Sequence, residues 1–278
     1  MNVLFVAALT AVVSGIARIT AGVTFDYSTP LLFSAGLLGC AYFWSTFRER
    51  LVNLAALVTF SAAFTALTYS LATAPFPFAD DLLRKADNLI GFDAARFVAE
   101  CPEVWRGFFQ VVYYSIIPVT VLVLLVGDTR FVGHFMVCAL ITAAIFFFVP
   151  ALGSCGINAP LHYQSTVSDL IKLKSGALTS VSWSNANGII TCPSFHVIWA
   201  LLLFIYWPNP FTALFAFLTI PAAVVIGQHY LVDCVAGIVI VGLTYANYPV
   251  RYQYSDGPGA SSYKRGLPHH PNRTPAYI

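Results

Sequence analysis

Residues 192–237 read CPSFHVIWALLLFIYWPNPFTALFAFLTIPAAVVIGQHYLVDCVAG. Two strongly apolar runs lie between CPSFHV at one end and GQHYLVDCVAG at the other. Thiols and tyrosines aside, His196, His229 and Asp233 are the only ionisable side chains in this stretch. An ionisable group inside an apolar span costs about 2.5–3.5 kcal/mol on insertion scales. Two imidazoles and a carboxylate kept there imply a use.

Composition sets the solvent. The chain has 278 residues, of which 58% are hydrophobic and only 9% charged. A soluble domain carries roughly 25% charged residues, so this chain lacks the polar surface to face water all round and is expected to fold in lipid. Its net charge of +2, with no basic stripe, argues against nucleic acid as a partner. The six cysteines, Cys40, Cys101, Cys138, Cys155, Cys192 and Cys234, show no paired metal-ligand spacing and read mostly as small buried hydrophobes. Cys155 and Cys192 flank the long polar loop and could pair if that loop faces an oxidising compartment, a question the sequence leaves open.

A spanning helix needs about 20 mostly apolar residues. Segments 2–24, 29–47, 51–73, 105–126, 130–151, 192–207, 210–227 and 229–248 come near that length, the last three being short. The first lacks the basic start of a signal peptide and reads as a retained span. Arg18 within it is expected to snorkel or to pair inside the bundle. The predicted fold is an all-α integral-membrane helical bundle: two extra spans over residues 1–50, a core over 51–250 and a disordered tail over 251–278. That tail is rich in Pro, Gly and Ser and carries His269 and His270.

With an even number of spans both ends share a side. Arg48, Arg50, Arg130, Arg251, Lys264, Arg265 and Arg273 fall there; Arg84, Lys85, Arg96, Arg106, Lys172 and Lys174 fall on the other. The second set sits in two long segments, which obey the positive-inside rule poorly. The short connections FRER and GDTR therefore place both ends in the cytoplasm, in a multi-pass cell (inner) membrane, with the loop 152–191 outside. Residues 76–103 are amphipathic and read as an interfacial helix, with Asp80 and Asp81 near its start. The loop 152–191 is the longest polar connection; it holds His162, Asp169, Lys172, Lys174, Asn185 and Asn187, and loops of that length are commonly functional.

Within the site stretch, Pro193 halts any preceding helix, and Ser194 is a natural N-cap for the span that follows. His196 then falls in a first turn, where free N–H groups attract phosphate oxygens. A lone histidine at a helix start is commonly just an interfacial residue; a second one changes the reading. His229 and Asp233 are four apart and are expected to share one helix face. The carboxylate would accept one ring N–H, fixing the tautomer and leaving the other nitrogen to attack, as in acyl-transfer triads. His196 and His229 begin different spans, separated by one that returns the chain to the same face, so the topology permits a shared site.

These residues carry a resemblance. LIGFD, LKSG, GIITCPSFH and GQHYLVDCVAG, in that order, resemble the type 2 phosphatidic acid phosphatase superfamily, whose motifs run K-x6-R-P, P-S-G-H and S-R-x5-H-x3-D. The nearer likeness is to its membrane branch similar to inositol phosphorylceramide synthases, or inositolphosphotransferases, which carry P-S-x-H and H-Y-x-x-D. It covers roughly residues 75–248 and implies a six-helix phosphatase-like core. It also implies roles: His229 as nucleophile forming a phosphohistidine, Asp233 orienting it, and His196 protonating the leaving alkoxide and then activating water or an alcohol. Lys174 and Lys172 would bind phosphate, with the helix-start N–H groups near Ser194 adding to them. No Arg-Pro follows either lysine at the strict spacing. Ala222 and Ala223 stand where the strict motif has Ser-Arg, and Phe195 stands for its Gly.

The expected activity is therefore phosphoryl transfer on a lipid phosphate, as a lipid phosphate phosphatase or phosphotransferase, with no cofactor and no metal. Other readings stay open at this stage: a metal-dependent hydrolase using His196, His229, Asp233 and Cys192 or His162; a non-catalytic transporter; and an inactive relative. Sequence separates neither water from alcohol as acceptor nor one oligomeric state from another.

Overall fold

The structure is a computed structural model that describes residues 3–246. The expected tail 251–278, with His269, His270 and the basic residues Arg251, Lys264, Arg265 and Arg273, lies outside the described residues. The protein is an all-α polytopic helical bundle. Two N-terminal helices, α1 (Val3–Ala21) and α2 (Ser28–Phe43), lean on α3 (Arg48–Ala72) and are joined by a short strand β1 (Thr24–Asp26). Four stretches are long and apolar enough to cross a membrane unaided: Leu4–Ala21, Ser45–Ala72, Glu103–Val126 and Phe131–Phe148. The third comprises α6 (Glu103–Tyr114) and α7 (Ile116–Val126), and the fourth is α8 (Phe131–Phe148).

The last three helices, α10 (Phe195–Tyr206), α11 (Pro210–Val225) and α12 (Leu231–Tyr245), are shorter. At 12 residues, α10 rises only about 18 Å against a hydrocarbon core of about 30 Å. Surface helices and the long loop cover their site-side ends. Residues 76–103 form two helices rather than the single one expected, α4 (Asp80–Leu89) and α5 (Ala94–Glu100), separated by a turn through Gly91. Their inner faces pack on α12 and α11 respectively, while Leu82, Leu89 and Ile90 point outward. The loop 152–191 also has structure: α9 (Leu161–Lys174) and a strand β2 (Ser180–Ser182). That strand pairs in parallel with β1, Phe25 opposite Val181, and so ties the N-terminal pair to the loop.

Bonds at the far end fix which helix ends lie together. Arg50 donates to the carbonyls of Leu124 and Gly127, Thr129 donates to Glu49, and the Asp128 N–H reaches the Tyr206 carbonyl. The connections after α2, α7 and α10 thus meet at one end of the bundle. Residues 152–191, α4, α5 and the starts of α10 and α12 gather at the other. Arg18 is paired inside the protein: its guanidinium donates to the Phe25 carbonyl at 3.2 Å and lies over the Tyr27 ring. All six cysteines are free thiols, Cys155 and Cys192 among them. Cys155 packs on Gly227, whereas Cys192 is buried against Asp233.

Candidate active site

Local sequence sets two rings at one depth. Ser194 occupies the N-cap position of α10 and puts His196 in its first turn. On the other side, the chain leaves α11 through Gly227, with φ +85, and runs extended through Tyr230 into α12. His229 therefore precedes α12 instead of riding on it. The two imidazole centroids are 6.3 Å apart, with ring planes at 60°. Tertiary folding brings together the histidines that begin separate spans.

Each ring is oriented by a neutral oxygen. His229 is fully buried, and its Nδ1 lies 2.7 Å from the Thr191 carbonyl. A carbonyl only accepts, so Nδ1 carries the proton and the neutral ring keeps its lone pair on Nε2. Among the described residues, nothing hydrogen-bonds that Nε2. His196 Nδ1 lies 2.8 Å from the Tyr113 hydroxyl, and the two rings stack with centroids 3.9 Å apart. Tyr113 donates its own proton to Gln228 Oε1 at 2.6 Å. Gln228 Nε2 in turn donates to the carbonyls of Gly188 (2.8 Å) and Ile190 (3.2 Å), which settles which way its amide faces.

Asp233 takes a different place from the one expected. Its Oδ2 accepts the Tyr230 N–H at 2.8 Å and is 3.9 Å from His229 Nδ1, so the carboxylate caps the start of α12 and leaves orientation of His229 to Thr191. The physical reason is the chain's path: the four-residue spacing places two groups on one helical face only if both are in the helix, and the helix begins at Leu231. At 3.9 Å in a dry interior, the carboxylate still acts on charge formed on the ring through space.

The phosphate-binding expectations also change. Lys174 donates from Nζ to the carbonyls of Ala74 (2.5 Å) and Phe76 (2.8 Å) and lies over the Phe78 ring, so it clamps α9 onto the segment after α3. Burial there lowers its pKa from the ordinary lysine value. Lys172 is exposed and borders a surface cavity with Gln164 and Ser168. Ser194 makes no side-chain cap bond; it is fully buried, gives its N–H to the Asp233 carbonyl at 3.0 Å and joins α10 to α12. Close packing at that joint needs Gly237, where a Cβ would come within 2.9 Å of the Ser194 carbonyl oxygen. The first turn of α10 presents N–H groups that have no acceptors within the helix, an arrangement suited to an anion. Ala222 and Ala223 are fully buried inside α11.

Two acids of α4 hold the site's frame. Asp80 accepts the N–H groups of Leu152 and Gly153 and the Tyr230 hydroxyl, and Asp87 accepts those of Leu231 and Val232 at the start of α12. Burial pushes both carboxyls above the ordinary aspartate range, against the pull of those backbone donors. His162 sits outside the histidine pair, its ring nitrogens facing Gln110 Nε2 and the Ile226 carbonyl, and burial lowers its pKa. Among the described residues, no three His, Cys, Asp or Glu side chains gather as metal ligands.

Tyr113, Gln228 and Thr191 escaped the sequence reading. Gln228 adjoins His229 in GQHYLVD and was open to suspicion on that ground. Tyr113 is one tyrosine in an apolar span, and Thr191 acts through its backbone, so neither carries a local signal.

The family model of the PAP2 superfamily matches residues 83–247, close to the stretch whose motifs suggested it. Comparison with curated proteins and with solved structures returns no match.

Proposed function

Since the chain belongs to the PAP2 superfamily, we propose that it transfers the phosphoryl group of a lipid phosphate, through a phosphohistidine on His229, to water or to an alcohol. The observation that carries this reading is the His229 ring itself. Its Nδ1–H is held by Thr191, and its unprotonated Nε2 is buried without a protein partner, 6.3 Å ring to ring from a second histidine. Two imidazoles this close together support a shared phosphoryl group, one ring approaching phosphorus while the other serves the departing oxygen.

In the first step, the His229 Nε2 lone pair forms the P–N bond as the P–O bond to the lipid breaks. The departing oxygen takes the proton from Nε2 of a protonated His196, leaving that ring neutral with Nδ1–H toward Tyr113. In the second step, water or an alcohol gives its proton to His196 Nε2 as its oxygen attacks phosphorus, and the P–N electrons return to His229. General acid–base help of this kind contributes about 10²–10⁴-fold. Asp233 offsets the positive charge that phosphorylation leaves on His229, and the first-turn N–H groups of α10 meet the phosphoryl oxygens.

A lipid substrate is supported by the place of the histidine pair: the starts of α10 and α12 gather with the amphipathic α4, α5 and residues 152–191 at one end of the apolar bundle. The basic residues Arg48, Arg50 and Arg130 stand at the opposite end, which supports a multi-pass inner-membrane protein with the site on the extracytoplasmic face. P-S-F-H and H-Y-L-V-D favour the branch that passes phosphoryl groups to an alcohol such as inositol.

The test is a phosphoenzyme. Full-length protein in detergent micelles, given labelled phosphatidic acid and quenched, is expected to hold acid-labile, base-stable label that disappears in His229→Ala. Label retained in that variant removes His229 as the nucleophile.

A further inference from the structure

Both histidines take their orientation from one short run of backbone, residues 188–191. Thr191 holds His229 directly through its carbonyl. Gly188 and Ile190 hold His196 indirectly: their carbonyls take both amide protons of Gln228, its Oε1 takes the Tyr113 proton, and the Tyr113 oxygen is left to accept from His196 Nδ1. The polarity of this chain is forced at each link. Carbonyls cannot donate, an amide has one accepting end, and a phenol has one proton. Tyr113 and Gln228 are both buried, on α6 and in the turn before α12, so bulk water does not compete for these bonds.

We propose that Tyr113 and Gln228 are positioning residues that keep His196 with its Nδ1 proton outward and its Nε2 turned to the leaving oxygen. This rests on the phosphoryl-transfer reading above and adds the residues that make His196 an effective acid. Without the Tyr113 hydroxyl, Nδ1 has no fixed acceptor; the ring can rotate and the neutral form can exchange tautomers. The cost then falls on the step that needs a proton at Nε2. The stacked Tyr113 ring survives in Tyr113→Phe, so this change removes the acceptor and little else.

The leaving group separates positioning from mere structure. An alkoxide departs only with a proton, whereas p-nitrophenolate departs without one. Full-length wild type, Tyr113→Phe, Gln228→Leu and the control Tyr114→Phe are assayed in micelles on phosphatidic acid and on an alkyl-substituted p-nitrophenyl phosphate. Tyr113→Phe is expected to lose about 10²-fold in the single-turnover rate of the first step, read as diacylglycerol release from phosphatidic acid, but less than about threefold in the pre-steady-state burst of p-nitrophenolate, since only the former draws on general-acid help and the second step, with His196 as base, is common to both. Gln228→Leu should show the same selectivity with a smaller loss, and it carries the test if Tyr113→Phe does not fold. Tyr114→Phe, half exposed beside Tyr113, should leave both rates unchanged.

Equal losses on the two substrates, or no loss on phosphatidic acid, overturns the positioning role while leaving the phosphohistidine reading in place. A wild-type protein that cleaves neither substrate, or a His229→Ala variant that cleaves both at the wild-type rate, overturns the two together.

Discussion

The N-terminal pair α1–α2 and the block α10–α12 are both built from apolar sequence and do opposite work. Of the α1 window 22% is buried, against 61% for α8 at the centre of the bundle. Ile19 and Leu32, on α1 and α2, are 80% and 74% exposed. In the block, Val197, Ile198, Leu202, Leu203, Ala222 and Val225 are buried to about the last atom. Glycines repeat the contrast: a Cβ on Gly15 or Gly36 meets nothing within 4 Å, whereas on Gly153, a loop residue packed against the turn between α11 and α12, it falls 2.7 Å from the Gln228 carbonyl oxygen. Apolar character therefore says that a helix belongs in lipid or core, and packing alone says which. In the block, every lost ångström reaches a histidine; in the pair, the outer face meets lipid.

The comparison can be broken at several points. The largest effect is expected in the block: His196→Ala should lower phosphate release from an alkyl lipid phosphate by about 10²–10⁴-fold without changing helical content by circular dichroism. A variant that releases phosphate at the wild-type rate would take His196 out of the chemistry. Gly153→Ala comes next. With φ +104 and a clash with the backbone beside His229, it should cost about 1–3 kcal/mol, read as a lower Tm in detergent, whereas Gly36→Ala in α2 should be neutral or slightly stabilising. Equal Tm shifts would erase the distinction between the regions.

Smaller effects sharpen it. Asp87→Ala removes the acceptor for two first-turn N–H groups of α12 and should cost about 1–3 kcal/mol, with activity falling because the turn holding His229 loosens. Thr24→Pro breaks the N–H bond from β1 to the Thr179 carbonyl, one of the bonds that tie the pair to residues 152–191, and should cost about 1 kcal/mol. Smallest is Leu32→Ala on the lipid side of α2, expected within about 0.5 kcal/mol of wild type. A loss as large as that of Gly153→Ala would mean that something packs on α2.

How far the sequence was readable depended on whether the signal was local. Helices were: each apolar run became helical, because lipid demands that each backbone group bond within its own segment, though among the described residues only four stretches are long and apolar enough to cross a membrane. His196 in a first turn was readable from Pro193-Ser194 for the same local reason. The interfacial segment was readable as amphipathic, yet not as two helices, since the break at Gly91 serves the packing of α4 and α5 on different neighbours. Spacing misled at Asp233, where a helical period was extended back to His229, two residues before the helix begins. Lys174 looked like a phosphate ligand because it is a cation in the right loop; its ammonium instead satisfies carbonyls of the segment after α3.

Residue order alone determined that this chain lives in a bilayer, that two imidazoles and a carboxylate survive in its apolar segments, and that their motifs belong together. It could do so because the cost of burying a charge in an apolar span is high wherever the neighbours lie. Only the folded bundle decided which atoms hold those imidazoles: a threonine carbonyl for His229, a tyrosine hydroxyl backed by a glutamine for His196. Hydrogen bonds act over about 3 Å, and Tyr113 is 83 residues from His196 along the chain, so nothing short of the tertiary structure could bring them within reach.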